Sequence, residues 1–205
     1  RIPTHCSKKS YNTEFGSLLS ILEQESGYSS PLKWGLSIVK GFWSTLMLED
    51  APYKKLILEM GADKPGDIEY LVKRIQPQIG IFANVKAMHL AEGQFEDLDD
   101  IFKEKAKLIQ ALPKEGWAIL NADDKRVASL VDEVNCHVIL FGTSTKSDLR
   151  ATQIRSAADG LHFTLNYETT SHDLHFPNLL GRHQIYVLLP ALAVGFLMGL
   201  SFEHI

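Results

Sequence analysis

The 205-residue chain lacks several features that would assign it at once to a class of protein. Its only two cysteines, Cys6 and Cys136, form neither a disulfide framework nor a metal-ligand pattern, so we expect a reducing, cytoplasmic setting. A formal net charge of −4 offers no excess of basic residues of the kind that nucleic-acid-binding proteins present. The composition is 45% hydrophobic and 22% charged, which is typical of one globular domain with a core.

The chain also lacks a hydrophobic run as long as a membrane-spanning helix, which needs roughly 20 apolar residues. The apolar run 185–200 carries no charge but is shorter, contains Pro190, and has Arg182 and Glu203 close to its ends. It is either a buried core helix or a membrane segment, and these features favour the core helix. We therefore expect no membrane insertion.

A phosphate-binding loop with the pattern G-x-x-x-x-G-K-[ST] is absent as well. Such a loop cradles phosphates with backbone N–H groups and supplies a lysine and a metal-binding hydroxyl. The chain begins at Arg1 rather than methionine and ends at Ile205 within a helical pattern. Both ends are therefore expected to be cuts through a longer protein, and this chain alone is expected to be inactive.

What the sequence does contain is an alternation of strands and helices. Short apolar runs bounded by polar residues predict strands within 54–60, 78–85, 116–124 and 136–143. Helical periodicity predicts helices over 16–26, 65–75, 97–112 and 125–134, while 34–50 is ambiguous. This order predicts an α/β fold with a mostly parallel sheet over 1–147. Alternation and turn signals predict antiparallel strands over 148–178, and a closing helix falls within 179–205.

Polar residues follow the predicted strands at their carboxyl ends. Glu59 ends the first strand, His89 lies in the loop after the second, and Asn121 and Asp123 end the third. Ligands of parallel sheets bind at this edge, and a carboxylate there can hold Mg²⁺. A capping or surface carboxylate is the alternative for Glu59, and the residues by themselves favour that alternative.

Five segments together resemble the central ATP-binding domain of the Mur ligases, most closely the MurF type. They occur in the family's order, from about Tyr11 to the end of the chain: "YNTEFG", "LEMGADKPGDI", "NVKAMHLAEGQFEDLDDIFKEKAKL", "WAILNADD" and "LLGRHQ". The resemblance implies a single partial central domain over residues 1–205, without the family's N-terminal UDP-binding domain and C-terminal domain. It also implies a monomer.

The resemblance implies an ATP-dependent, Mg²⁺-dependent ligase of peptidoglycan-precursor synthesis. The MurF type joins UDP-N-acetylmuramoyl-tripeptide to D-alanyl-D-alanine through an acyl phosphate. Two alternatives stay open. One is another amide ligase of this architecture, such as a different Mur enzyme, folylpolyglutamate synthetase or cyanophycin synthetase. The other is a degenerate Mur-like module that binds without catalysis.

Carried over position by position, the resemblance makes Glu59 and His89 ligands of Mg²⁺. Lys105 matches a lysine that many members carbamylate, so that it becomes a carboxylate, contributes to catalysis and helps to hold a second Mg²⁺. The alternative for Lys105 is an ordinary solvent-facing helix lysine.

The resemblance also assigns nucleotide and substrate contacts. Asn121, Asp123, Arg182 and His183 match positions around the nucleotide, whereas Asn12 and Thr13 match the loop that contacts the substrate. Each has a plainer alternative, namely a turn or a surface pair at a helix start. Two positions depart from the family pattern, since Gln184 and Val187 stand where the family has asparagine, and these departures put the adenine contacts in doubt.

Overall fold

A computed structural model of the chain describes residues 2–7, 11–27, 29–47, 53–87, 91 and 94–202. The strands are β1 (Thr4–Cys6), β2 (Lys55–Ile57), β3 (Ile79–Phe82), β4 (Trp117–Asn121), β5 (His137–Gly142), β6 (Leu149–Ala157), β7 (Gly160–Tyr167) and β8 (Thr170–Phe176). The α-helices are α1 (Glu14–Ile21), α2 (Pro31–Met47), α3 (Asp67–Ile75), α4 (Leu98–Gln110), α5 (Lys125–Ser129) and α6 (Ile185–Leu197). Short 3₁₀ helices occupy Leu130–Asp132 and Arg182–Gln184.

Six strands form one mixed sheet in the order β3-β4-β5-β6-β7-β8. The first four are parallel to one another, and β6, β7 and β8 pair antiparallel. The predicted fold class, a mostly parallel α/β sheet with an antiparallel part, is confirmed. Because Phe141 of β5 pairs with Leu149 of β6, the sheet continues across the boundary predicted near residue 148.

The strand that precedes Glu59 belongs to a second, smaller sheet. Among the described residues β2 pairs only with β1, in parallel, and β3 pairs only with β4. Ile57 of β2 is 56% exposed, and Ile81 of β3, an edge strand of the larger sheet, is 41% exposed. The sequence predicted neither β1 nor the separate sheet that it forms with β2, because a strand of three residues carries too little periodicity to detect.

The closing helix α6 packs on the larger sheet and forms part of its hydrophobic core. Ile185, Leu189 and Ala193 are buried and pack against apolar side chains of β5, β6 and β7. None of the helices in the described part of the chain combines the length and the apolar character that crossing a bilayer requires. The interpretation of 185–200 as a core helix is confirmed.

Helix α4 confirms the clearest sequence prediction and is joined to α3 by a buried carboxylate. Asp97 caps α4, and its carboxylate accepts hydrogen bonds from the backbone N–H groups of Asp99 and Asp100. The side chain of Glu104 is 2% exposed, and it accepts from the N–H of Ile68 at 2.8 Å and from Lys107 at 2.7 Å. The carboxylate thus binds the N-terminal turn of α3, where the helix dipole favours negative charge.

The charge on Glu104 is stabilised by these contacts. Burial by itself raises the pKa of Glu104, but hydrogen bonds from the backbone of Gly66 and Ile68 and from Lys107 outweigh it and hold the pKa below its ordinary value. A carboxyl whose pKa is lowered on folding stabilises the fold above its unfolded pKa, roughly 4.3 for glutamate.

We predict that Glu104→Ala lowers the free energy of unfolding by about 2–4 kcal/mol, because it leaves the N–H donor of Ile68 without its acceptor and removes one of the two carboxylates that bind Lys107. Denaturant unfolding at neutral pH measures the loss. The difference from wild type should shrink as the pH falls through the folded-state pKa, since protonation removes the same charge.

Glu115→Ala is the matched control, because the side chain of Glu115 is 84% exposed. It should change stability by less than about 0.5 kcal/mol. An equal effect of the two substitutions would contradict the role of Glu104.

Candidate functional site

Glu59 lies just beyond the carboxyl end of β2, where its side chain is exposed. Nδ2 of Asn12 donates a hydrogen bond to Oε1 of Glu59 at 3.3 Å. The N–H of Gly61 also donates to the carbonyl oxygen of Asn12 at 2.7 Å. The structure therefore brings together a predicted metal ligand and a predicted substrate residue that are 47 positions apart in the sequence.

Gly61 makes this approach possible. A Cβ atom at this position would lie 2.9 Å from the side-chain amide carbon of Asn12, closer than side chains tolerate. The glycine of "LEMGAD" is thus explained by the passage of the Asn12 loop against the chain after β2.

Thr13 is the N-cap of α1, and its Oγ1 accepts from the N–H of Gly16 at 3.4 Å. A cavity of about 320 Å³ opens beside this helix start. Its lining comprises Thr13, Glu14, Phe15, Gly61, Asp63, Lys64, Asp67 and Leu71. Carboxylates, a lysine and a hydroxyl share this lining with Phe15 and Leu71, so the cavity offers both polar and apolar contacts to a ligand.

Lys105 lies on the inward stripe of α4. It follows the buried Ile101 by one turn and precedes the buried Ile109 by one turn, so the three side chains share a face. Lys105 itself is half-buried. Lys103, by contrast, is an ordinary solvent-facing helix lysine, because it is exposed and forms an ion pair with Asp100.

The segments that carry the three predicted metal ligands meet in one hydrophobic cluster, here called the α3–α4 cluster. It consists of Ala62, Ile68, Val72, Phe95 and Ile101, with Met60, Val85 and Leu108 packed against it. Met60 adjoins Glu59, and Ile101 precedes Lys105 by one helical turn. Val85 precedes His89 by four residues, and His89 itself lies outside the described residues.

The donor set suits Mg²⁺. Glu59 offers an exposed carboxylate whose one described hydrogen bond, from a neutral amide, is long at 3.3 Å, so its oxygens remain accessible to a cation. Mg²⁺ prefers oxygen ligands and keeps waters or substrate phosphates at its remaining positions. An open, polar edge beside Glu59 fits that requirement.

Asn121 and Asp123, the predicted nucleotide residues, hold the end of β4 in place. Asn121 is buried, its Nδ2 donates to the carbonyl oxygen of Ala83 at 2.7 Å, and its Oδ1 accepts from the N–H of Asp123 at 2.9 Å. The amide thereby ties the end of β3 to the turn after β4. Its polar atoms act on the backbone, so the geometry favours positioning by Asn121, and direct nucleotide contact stays a prediction.

The carboxylate of Asp123 is the centre of a second group of contacts. It accepts hydrogen bonds from the N–H and Oγ1 of Thr143 at 2.7 and 2.8 Å, from the N–H of Ser144 at 2.9 Å, and from the hydroxyl of Tyr186 at 2.9 Å. Burial alone raises the pKa of Asp123, but these hydrogen bonds outweigh it and lower the pKa. A Cβ on Gly142 would lie 2.8 Å from this carboxylate, which explains the glycine after "ILF".

Tyr186 joins Asp123 to the segment that carries Arg182 and His183. Arg182 and His183 are exposed and lie in the 3₁₀ turn that leads into α6. Burial and the hydrogen bond to Asp123 raise the pKa of Tyr186, whereas the charge of Arg182 opposes that rise. All four predicted nucleotide residues therefore belong to one end of the larger sheet.

Tyr186, Thr143 and Glu104 are the residues of this region that the sequence did not reveal. Each acts through a partner distant in sequence, and Tyr186 and Asp123 are 63 positions apart. The one available signal was the three-residue spacing of Tyr186 from His183, which places both at the same helix start.

The family model of the Mur ligase middle domain matches residues 42–195 of the sequence. UDP-N-acetylmuramoyl-tripeptide–D-alanyl-D-alanine ligase of Escherichia coli (strain K12) is 31% identical over 163 residues, which are 78% of this chain and 35% of that protein. UDP-N-acetylmuramate–L-alanine ligase of Alkaliphilus metalliredigens (strain QYMF) is 33% identical over 129 residues, or 62% of this chain and 28% of that protein. The chain thus spans about a third of the length of these curated relatives.

Solved structures of the family share the fold. MurF from Acinetobacter baumannii superposes with a TM-score of 0.73 at 22% identity, covering 99% of this chain and 38% of that chain. MurF ligase from Thermotoga maritima in complex with ADP gives a TM-score of 0.66 at 18% identity, covering 97% and 45%. The match of the middle-domain model over most of the chain confirms the resemblance read from the motifs, and the chain belongs to the Mur ligase family.

Proposed function

We propose that this chain is the central part of a cytoplasmic, ATP-dependent and Mg²⁺-dependent amide ligase of peptidoglycan-precursor synthesis. The proposed reaction adds D-alanyl-D-alanine to UDP-N-acetylmuramoyl-tripeptide. The observation that supports the proposal is the α3–α4 cluster, in which residues close in sequence to Glu59, His89 and Lys105 pack together. The chain that forms this cluster belongs to the Mur ligase family.

The proposed reaction proceeds in two transfers. The γ-phosphoryl group of ATP passes to the terminal carboxylate of the tripeptide, giving an acyl phosphate and ADP. The amine of the dipeptide then attacks the acyl carbon, the tetrahedral intermediate collapses, and phosphate leaves as the nitrogen loses a proton. Bound Mg²⁺ would supply charge that offsets the repulsion between the γ-phosphate and the carboxylate.

The residues of this chain have positioning roles in that scheme. Glu59, His89 and a carbamylated Lys105 would hold the metal ions, and none of them needs to act as a general acid or base. Asn12 and Thr13 would contact the peptide substrate beside Glu59. Arg182 and His183 would approach the nucleotide, supported by the contacts that Tyr186 and Asp123 make behind them.

We predict that Glu59→Gln in the full-length ligase lowers the ligation rate on the order of 100-fold. The substitution keeps the shape of the side chain and removes the charge that would bind Mg²⁺. A coupled assay of ADP release with saturating substrates measures the rate, and a thermal melt should show an intact fold. Glu96→Gln, at an exposed position before α4, is the control. An unchanged rate at saturating Mg²⁺ would refute the proposed ligand.

We predict that Lys105→Met removes a carbamate. Protein equilibrated with ¹³C-bicarbonate should show a carbamate carbon resonance by NMR, and Lys105→Met should lose both this resonance and the ligation activity. Lys103→Met, two positions away and exposed, should retain both. A carbamate signal that persists in Lys105→Met would assign the modification elsewhere and overturn the role of Lys105.

We predict that Tyr186→Phe raises the KM for ATP several-fold without changing the KM for the dipeptide. The variant loses the hydroxyl that joins Asp123 to the Arg182–His183 turn, so only the nucleotide end should be affected. Tyr167→Phe is the control, because Tyr167 ends β7 and stacks on Phe196 of α6. Equal changes in both KM values would indicate a general loss of structure instead.

A second candidate reaction is the addition of L-alanine to UDP-N-acetylmuramate, because ligases with that name are 33% identical over 129 residues and 34% identical over 130 residues of the chain. The full-length enzyme, assayed with each nucleotide substrate and each amine in all combinations, separates the two. Product formation only with the tripeptide and D-alanyl-D-alanine supports the first reaction.

A further inference from the structure

Helix α2 presents an apolar surface that the described part of the chain leaves open. The helix has 17 residues, and eight of its large apolar side chains are at least 54% exposed. Leu32 is 76% exposed, Val39 63% and Trp43 60%. Large contiguous apolar patches on a protein surface mark sites that bind another protein, a membrane or a ligand.

The opposite side of α2 is the one that contacts the rest of the protein. Trp34 packs on Gly27, where a Cβ would lie 2.7 Å from the indole ring. Ser37 donates to the carbonyl oxygen of Glu25, and the buried Gly41 lies against Leu22. At 3.6 residues per turn, these three positions share one side of the helix. The apolar surface therefore points away from the domain.

The exposed apolar side chains cover roughly half the circumference of α2, at about 100° per residue. A two-helix seam is narrower, because it uses one stripe at heptad spacing. Both basic residues of the helix, Lys33 and Lys40, lie along one border of the apolar half, and Pro31–Met47 contains no acidic residue. The helix therefore carries a positive charge, although the chain as a whole has a net charge of −4.

We infer that α2 lies in the surface of an anionic lipid bilayer, with its apolar half among the headgroups and acyl chains. A wide apolar side containing tryptophan, phenylalanine and leucine, bordered by lysines, is the pattern of an interfacial helix. Lys33 and Lys40 bind lipid phosphates while their aliphatic stems follow the apolar border. At about 25 Å, and with two lysines, α2 lies on the membrane and does not span it.

This inference is independent of the ligase reaction. The family match begins at Phe42, so the helix from Pro31 to Gly41 lies ahead of the matched residues. None of the candidate metal, nucleotide or substrate residues belongs to α2. Membrane attachment would hold the ligase at the bilayer surface without changing its chemistry.

The experiment is vesicle co-sedimentation of the full-length protein with phosphatidylglycerol-containing vesicles and with pure phosphatidylcholine vesicles. Wild type should pellet with the anionic vesicles, and high salt should weaken this binding. The double variant Val39→Asp/Trp43→Asp should bind at least about tenfold more weakly. Lys33→Gln and Lys40→Gln should each weaken binding about fivefold, because each removes one basic contact with the anionic surface.

Leu180→Asp is the matched control, because Leu180 is 61% exposed and lies outside α2. It should bind vesicles like wild type, and thermal melts should show that all variants are folded. Failure of wild type to bind anionic vesicles would overturn the inference. So would a dimer in sedimentation velocity that Val39→Asp/Trp43→Asp dissociates, since a second copy would then cover the surface.

Discussion

The buried carboxylate of Glu104 sets the geometry on which the candidate metal site depends. It binds the N-terminal turn of α3, which follows the loop that begins at Glu59, and it is the neighbour of Lys105 on α4. The hydrogen bond from the backbone N–H of Ile68 to this carboxylate therefore fixes how the segment after β2 meets the helix that carries the candidate lysine. The α3–α4 cluster then packs around this contact and keeps the two segments together.

The proposed chemistry is divided between two groups of residues with different physical tasks. In the first group, the exposed carboxylate of Glu59, the amide of Asn12 and the neighbouring cavity leave room for ligands. Around Asp123 the carboxylate is already satisfied by four hydrogen bonds, so it shapes the backbone at the end of the sheet. The first group is suited to binding, and the second to holding exposed side chains such as Arg182 in place.

The sequence was sufficient to predict the elements whose signal is local. The strands β3, β4 and β5 are apolar runs with polar ends, and α4 has acidic residues at its start and an apolar stripe. The sequence was insufficient where the signal is short or distant. Strand β1 is too short to show a period, α2 mixes β-branched and aromatic residues, and Glu104 reads as one more charged residue between two lysines. Its burial became visible only once α3 was packed on α4.

In the proposed ligase, Glu59, His89 and Lys105 surround one metal site. The most direct measurement is anomalous diffraction from crystals of the full-length ligase grown with Mn²⁺ and a non-hydrolysable ATP analogue. The account predicts Mn²⁺ peaks within coordination distance of Glu59, His89 and a carbamylated Lys105, next to the γ-phosphate. Peaks bound by other side chains, or a Glu59 carboxylate turned away from the nucleotide, would contradict it.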